Sequence, residues 1–170
     1  GNGSNELIEL AVRTFVQPGD EVVSADPSFV VYKMITQAAG GTNVIVPCRD
    51  GRHDLDAMAE RITEKTRIVF IANPNNPTGT MNTKIEMDRF MDRVPDHVLV
   101  AVDEAYFEYV THADYPDSLD YLHADKNVLA MFGRGETRGI FQFESGGMQD
   151  LLMKMQPDRV EDLIAANALY

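Results

Sequence analysis

The chain has 170 residues, a formal net charge of −12 and a hydrophobic fraction of 44%. These values are typical of an acidic globular domain. This charge argues against a general nucleic-acid binder, which needs basic patches, and the single cysteine, Cys48, excludes a disulfide framework and a multi-cysteine zinc site. No stretch approaches the roughly 20 apolar residues of a membrane-spanning helix, and because no charged-then-apolar leader opens the chain, we expect a cytoplasmic protein.

Helices and short strands alternate along most of the chain. Apolar spacing and turn signals predict helices over 5–16, 28–39, 54–62 and 83–93, and strands over 21–24, 43–47, 68–72, 98–102 and 128–132. The first helix is expected to turn these apolar residues inward: Leu7, Ile8, Leu10, Ala11 and Phe15. Strands that alternate with helices predict an α/β fold, a mainly parallel sheet with flanking helices.

The pattern changes near residue 131. Glycines recur every few residues up to Gly139, and two helical patterns follow, one on each side of Pro157. The alternation of strand and helix stops here, so we place a domain boundary at about 131. Residues 1–130 then form the α/β domain, and residues 131–170 form a short helical segment.

Polar strings follow two of the predicted buried strands. Asn73 to Gly79 comes directly after one strand, and Asp103 to Tyr106 comes after the next. In parallel sheets, ligands bind beyond the carboxyl ends of the strands. A carboxylate at Asp103 could keep the nitrogen of a pyridine ring protonated, so that the ring draws electrons from an attached carbanion. Asn76 and Tyr106 could donate hydrogen bonds to an oxygen of the same ring from two sides.

Each of these residues also has a plain structural interpretation. Asp103 alone could cap a turn, and the Asn-Asn-Pro-Thr-Gly string is in itself a strong turn. The two strings in succession favour the ligand site. Ser4 and Asn5 precede a helix whose free N–H groups suit a phosphate, or they simply cap that helix. Phe29 could stack on an aromatic ligand or serve as a core aromatic.

The histidines and the cysteine carry no comparable pattern. The four histidines lack the spacing of metal ligands, so we expect no metal site and interpret them as surface or structural residues: His53, His97, His112 and His123. Cys48 lacks a catalytic setting and is interpreted as a small apolar residue.

From Gly1 to about Ala130 the chain resembles the fold-type I pyridoxal-phosphate aminotransferases of class I/II, most of all those that act on histidinol phosphate. The strings that carry the resemblance are Gly3 to Ile8, Pro18 to Asp20, Pro27 to Phe29, Asn75 to Gly79 and Asp103 to Tyr106. The resemblance implies pyridoxal phosphate as the cofactor, with Ser4 and Asn5 at its phosphate, Phe29 stacked on its ring, Asn76 and Tyr106 at its hydroxyl, and Asp103 at its ring nitrogen. It also implies a homodimer that transfers an amino group between such an amine and a 2-oxo acid.

The resemblance fails where the family carries its Schiff-base lysine. Counting in register from Asn127 puts Glu136 where that lysine should fall. The neighbouring serine, two family arginines and the family's amino-terminal segment are also missing from the matched pattern. Because covalent catalysis needs the lysine amine at bonding distance, we expect an incomplete aminotransferase with no catalytic residue, no turnover and at most non-covalent cofactor binding.

The tail resembles a different family, the bacterial replicative DNA polymerase III alpha subunit. The strings that carry this likeness are Thr137 to Ser145, Gly147-Met148, Glu161 to Ala165 and Ala168 to Tyr170. The sequence therefore indicates a chimera joined near 131. Two alternatives stay open: a fragment that works through the polymerase-like tail, and a reading frame without function.

Overall fold

The computed structural model describes residues 3–121, 126–138, 140 and 143–169. Its helices and strands, in chain order, are α1 Gly3–Phe15, β1 Glu21–Asp26, α2 Val31–Ala38, β2 Thr42–Pro47, α3 Leu55–Glu60, β3 Thr66–Ala72, α4 Lys84–Met91, β4 Leu99–Asp103, α5 Lys126–Gly133, α6 Gly146–Met155 and α7 Val160–Leu169. Two short 3₁₀ helices lie at Phe107–Tyr109 and Ser118–Tyr121. The chain divides into two compact units, the sheet unit Gly1–Ser118 and the helical unit Leu119–Tyr170.

A four-stranded parallel sheet in the order β2-β1-β3-β4 forms the centre of the sheet unit. Helices α2, α3 and α4 each connect one strand to the next, as parallel pairing requires. The α/β fold with a parallel sheet is therefore confirmed. Strand β3 lies between β1 and β4, and its residues from Ile68 to Ala72 are all buried.

Successive side chains of β3 alternate between two apolar layers. Ile68, Phe70 and Ala72 belong to a core cluster that includes Val12 of α1 and Tyr32 of α2. The side chains between them, which are also fully buried, face the opposite side of the sheet. A continuous apolar run, without alternation, is what a strand covered on both faces needs.

Helix α1 buries a narrower stripe than the sequence predicted. Ile8 and Val12, one helical turn apart, are buried, whereas Leu7, Leu10 and Phe15 are 68%, 53% and 50% exposed. The prediction that these three face inward was wrong. A helix that contacts its neighbours along one row of residues four apart leaves the adjoining apolar positions outside.

The helical unit contains α5, α6 and α7. Its described core consists of Phe132, Met148, Leu152 and Ala166, with partly buried apolar side chains around them. The predicted strand over 128–132 was wrong, because this segment lies within α5. Leu129 and Phe132, three residues apart, are both buried, as on one face of a helix. A short apolar run does not by itself distinguish a strand from a buried helix segment.

The two helices predicted for the tail are confirmed as α6 and α7. The domain boundary near 131 falls inside α5, and it stays a prediction about where two sequence origins meet. His123 and parts of the polymerase-like strings, at Gly139, Phe141, Gln142 and Tyr170, lie outside the described residues. None of the described helices combines the length and apolar character needed to cross a bilayer.

Candidate functional site

The two polar strings leave the sheet side by side. Ala72 pairs with Asp103 in the register of β3 and β4, and the backbone N–H of Asn73 donates to the Asp103 carbonyl over 3.0 Å. Both strings therefore begin at the same edge of the sheet, the one formed by the carboxyl ends of the parallel strands. This is the edge at which open α/β sheets bind ligands.

A cavity of about 140 Å³ opens at this edge, and we call it the strand-end cavity. Its lining residues are Ser4, Phe29, Ala72, Pro74, Asn76, Asp103, Ala105 and Tyr106. Five of the six residues predicted to bind the cofactor meet here. Asn5 does not line the cavity and is exposed in the first turn of α1. The helix begins at Gly3, so Ser4 and Asn5 belong to its first turn and do not precede it.

Asp103 is held by two hydrogen bonds in the strand-end cavity. One carboxylate oxygen accepts from the hydroxyl of Tyr32 at 2.6 Å, and the other accepts from the backbone N–H of Ala105 at 3.1 Å. Burial, and then the bond to Asp103, raises the pKa of the Tyr32 phenol above its ordinary value. Tyr32 therefore stays a hydrogen-bond donor, and the carboxylate keeps one orientation.

Sequence reasoning missed Tyr32. Its side chain is 1% exposed. The ring stacks flat on Phe70 with a centroid distance of 4.5 Å, and it meets the edge of Phe29 at 5.6 Å. The available signal was a hydroxyl on the inward stripe of α2, where a buried phenol needs a partner. Phe29 is thus held against Tyr32 while it lines the cavity.

The side chains of Asn76 and Tyr106 stand next to each other. The Asn76 amide nitrogen lies 3.5 Å from the Tyr106 hydroxyl, so both groups can donate to one oxygen placed between them. The same two residues also line a larger cavity of about 510 Å³, together with Met81, Tyr109 and others. The Asn76–Tyr106 pair therefore forms a wall shared by the two cavities.

The other two asparagines of the string, Asn73 and Asn75, stabilise the turn through hydrogen bonds. Asn73 is fully buried, and its amide donates to the carbonyl of Asn82 at 3.1 Å and accepts from the N–H of Asn82 at 2.8 Å. The backbone N–H of Gly79 closes the turn on the Asn75 carbonyl at 2.8 Å. Gly79 has a φ of +68°, a conformation that favours glycine. Within the string, Asn76 is the asparagine that lines the strand-end cavity.

Glu104, the first residue after β4, has a different set of partners from its neighbour Asp103. One Glu104 oxygen accepts from the Tyr115 hydroxyl at 2.9 Å and from the Ser118 hydroxyl at 2.7 Å. The Tyr115 hydroxyl also bonds the carbonyl of Asn73. Burial, and then Glu104, raises the pKa of Tyr115. Glu104 therefore supports the strand ends and takes no part in the cavity.

Lysine does not line the strand-end cavity among the described residues. The ammonium of Lys33 pairs with Asp26 at 2.6 Å. Glu136, in the helical unit, is exposed and pairs with Arg134 at 2.8 Å. In the described part of the chain, His, Cys, Asp and Glu side chains do not gather in the groups of three or more that a metal ion needs.

Two family models match the chain, and their ranges overlap. "Aminotransferase class I and II" matches residues 1–133, and "Bacterial DNA polymerase III alpha subunit finger domain" matches residues 104–170. The shared stretch, 104–133, contains the predicted boundary. Both resemblances stated from the sequence are therefore supported by a family match.

The chain is similar to several proteins named as aminotransferases. Histidinol-phosphate aminotransferase 2 of Hydrogenovibrio crunogenus is 46% identical over 148 residues, which is 87% of this chain and 40% of that protein. The enzyme of the same name from Pseudomonas fluorescens Pf-5 is 42% identical over 99% of this chain and 47% of its own length. The chain thus spans less than half of these relatives.

A solved structure gives the same likeness in three dimensions. The histidinol-phosphate aminotransferase of Sinorhizobium meliloti, crystallised with pyridoxal-5'-phosphate, matches with a TM-score of 0.67 and 28% identity. The match covers 75% of this chain and 35% of that one.

Proposed function

The chain belongs to the class I and II aminotransferase family, and from this premise we propose that its sheet unit binds pyridoxal phosphate in the strand-end cavity. The observation that carries the proposal is the Asp103 carboxylate, held by Tyr32 at 2.6 Å in the cavity lined by Asn76 and Tyr106. A fixed carboxylate beside two convergent donors suits a protonated pyridine ring with an adjacent hydroxyl.

The donor set fits this cofactor group by group. Asp103 would hold the proton on the ring nitrogen, and Asn76 with Tyr106 would orient the ring through its hydroxyl. Phe29 offers an aromatic face, and the Ser4 hydroxyl, in the first turn of α1, suits the phosphate together with the helix N–H groups. For Asn5, a role at the cofactor phosphate is supported by the family resemblance alone. When bound, the cofactor supplies an electron sink for negative charge on the carbon that carries the amine.

Substrate and assembly follow from the family and remain proposals. We infer that the parent reaction passes an amino group from histidinol phosphate, or a similar amine, to 2-oxoglutarate, and that the parent enzyme is a cytoplasmic homodimer. For the 170-residue chain itself we propose binding without turnover. The Glu136 found in the register of the catalytic lysine supports this, as does the pairing of Lys33 with Asp26.

Equilibrium dialysis against pyridoxal phosphate, followed by borohydride reduction and mass spectrometry, tests both parts. We expect saturable binding of one cofactor per chain and no phosphopyridoxyl lysine. A lack of saturable binding would contradict the proposed site. A reduced adduct on one specific lysine, or transamination that depends on added cofactor and survives purification, would contradict binding without turnover.

The polymerase-family match over residues 104–170 favours a second candidate, association with DNA through the tail. Residues 131–170 carry four Arg or Lys against six Asp or Glu, a formal charge of −2. Because phosphate contacts supply most non-specific affinity, we expect the full chain to show no salt-sensitive binding to single- or double-stranded oligonucleotides. Binding that weakens with salt, and is lost on R134E/R138E substitution, would favour the DNA candidate.

A further inference from the structure

His53 is buried behind the turn that carries Asn76. It lies between β2 and α3, is 3% exposed, and places its Nε2 atom 3.0 Å from the side-chain oxygen of Asn75. Asn75 directly precedes Asn76, the residue that lines the strand-end cavity. His53 does not line the strand-end cavity, but it is hydrogen-bonded to Asn75, the neighbour of the cavity residue Asn76.

The hydrogen-bond pattern of Asn75 fixes which imidazole nitrogen carries the proton. The Asn75 amide nitrogen donates to the carbonyl of Pro27 at 3.0 Å and to the hydroxyl of Thr78 at 2.8 Å. Because a carbonyl can only accept, the amide nitrogen faces Pro27 and the amide oxygen faces His53. His53 Nε2 must then be the donor, so the neutral ring has its hydrogen on Nε2 and none on Nδ1.

We propose that His53 is a positioning residue for the cofactor site: its neutral Nε2–H form holds Asn75 and thereby sets the orientation of the Asn76 amide. The role in cofactor binding rests on the proposed function, whereas the hydrogen bond between His53 and Asn75 is independent of it. Asn82 donates to the His53 carbonyl at 2.9 Å, and the Thr80 hydroxyl donates to the Gly51 carbonyl at 2.6 Å. The His53 segment and the Asn76 turn are thus tied together at three points.

Protonation would disturb this arrangement. His53 Nδ1 is buried and has no hydrogen-bond partner among the described residues, so a second N–H would be buried without an acceptor. A small cavity of about 90 Å³ beside His53 is lined by these charged groups: Arg49, Arg52, Asp54, Asp56, Glu86 and Arg89.

These charges already pair with one another. Arg49 meets Asp54 at 2.6 Å, Arg52 meets Glu86 at 3.2 Å, and Arg89 meets Asp56 at 3.8 Å. The carboxylates are therefore engaged by arginines and do not favour an imidazolium. Burial lowers the pKa of His53, and this outweighs the opposite effect of its hydrogen bond to Asn75. Because the pKa is depressed, the neutral, bonded form persists in the folded chain below about pH 6.5 and is lost only as the pH falls through the lowered pKa.

Two variants of the full chain separate positioning from simple support. His53→Gln keeps an N–H donor but cannot titrate, and His53→Leu removes the donor at similar volume. His97→Gln, at a more exposed histidine that does not line the cavity, is the matched control. The readouts are the side-chain amide NMR signals of Asn75 and Asn76 in the ligand-free chain, the Kd for pyridoxal phosphate at pH 7.5, and thermal unfolding.

We expect His53→Leu to shift the Asn75 and Asn76 amide signals and to weaken cofactor binding roughly tenfold, since it leaves a buried acceptor unpaired. His53→Gln should restore both to near the unsubstituted chain. As the pH falls from about 7.5 through the lowered pKa of His53, the Asn76 signals of the unsubstituted chain and of His97→Gln should move with the titration of His53, and those of His53→Gln should not.

Unchanged Asn76 signals and cofactor affinity in a folded His53→Leu chain would overturn the proposal. So would equal losses of stability in both His53 variants with the Asn76 signals in place, because that is the behaviour of a purely structural histidine. Should His53→Leu fail to fold, the pH comparison between the unsubstituted chain and His53→Gln decides. If the unsubstituted chain binds no pyridoxal phosphate, the proposed function fails, while the ligand-free spectra still test His53.

Discussion

The sheet unit and the helical unit differ most in how they treat buried polar groups. In the sheet unit, buried asparagines and His53 form a connected set of hydrogen bonds behind the strand-end cavity. In the described part of the helical unit, the buried polar side chain is Thr137, which bonds the carbonyl of Phe143. One of its described ion pairs, Arg134–Glu136, joins two exposed groups.

This contrast supports the proposed cofactor site in the sheet unit. Orienting a polar ligand needs donors and acceptors whose own positions are fixed by further partners. The sheet unit has that second layer, whereas the described core cluster of the helical unit is apolar. Within the helical unit, the polymerase-family match therefore brings sequence likeness without a comparable set of fixed polar groups among the described residues.

The largest expected effect comes from removing a core aromatic under the site. Phe70→Ala deletes the ring on which Tyr32 stacks and should lower the free energy of unfolding by about 3–5 kcal/mol, with a parallel loss of cofactor affinity. Leu152→Ala, at a fully buried position of the helical unit, is the control. It should cost about 2–5 kcal/mol of stability while the Kd for pyridoxal phosphate stays unchanged. Chemical denaturation measures the free energy of unfolding, and cofactor titration measures the Kd. Equal losses of affinity in the two variants would contradict a cofactor site that belongs to the sheet unit.

Tyr32→Phe tests the orientation of Asp103 without disturbing the stack. Loss of the hydroxyl leaves the Asp103 carboxylate with one hydrogen bond fewer, so we expect cofactor binding to weaken roughly tenfold. Fluorescence titration with pyridoxal phosphate measures the change. Tyr109→Phe, at an exposed position, should bind like the unsubstituted chain. Equal affinity in both variants would mean that Tyr32 has no part in the site.

Alkaline pH should destabilise the sheet unit through the buried phenol of Tyr32 and the half-buried phenol of Tyr115. Burial and the carboxylates raise the pKa values of Tyr32 and Tyr115. A raised pKa means that the stability is complete below the unfolded pKa of about 10 and is lost as the pH rises above it. Tyr32 should remove up to about 1.4 kcal/mol per pH unit in that window, and the partly exposed Tyr115 should remove less because solvent screens its interaction with Glu104. Unfolding followed by circular dichroism should show a shallower decline for Tyr32→Phe, and an identical decline would contradict the assignment.

The smallest effect concerns the turn that carries Asn76. Gly79 has a φ of +68°, so Gly79→Ala should cost about 1 kcal/mol through backbone strain. Gly146→Ala is the counterpart in α6, where φ is not positive and open space surrounds the missing side chain. It should be neutral or slightly stabilising. Thermal unfolding compares the two, and a reversed order would show that the turn is not held as described.

The sequence predicted residues that line the strand-end cavity, but not Tyr32 and His53, which hold those residues in place. Asn76, Asp103 and Tyr106 could be predicted to lie close together because each falls at or shortly after the end of a strand, and the strand ends of a parallel sheet meet at one edge. Tyr32 lies 71 residues from Asp103, and His53 lies 22 residues from Asn75. No spacing rule links such pairs, since only the folded sheet brings them together.

The same limit explains the errors in the fold. The segment 128–132 is apolar without a period, so it suited a strand as well as the helix that it forms. Leu7, Leu10 and Phe15 fit an inward stripe by their spacing, but the neighbours of α1 cover only the row through Ile8 and Val12. Periodicity gives the direction of an apolar face, and packing partners decide how wide a stripe is buried.

The central claim is that Asp103 anchors pyridoxal phosphate in the sheet unit. Its most direct test is the Kd for pyridoxal phosphate of Asp103→Ala against Asp96→Ala, whose carboxylate is exposed and outside the cavity. Asp103→Ala should bind roughly a hundredfold more weakly, because it removes a charge-assisted hydrogen bond to the protonated ring. Asp96→Ala should match the unsubstituted chain. Equal affinities in all three chains would contradict the claim.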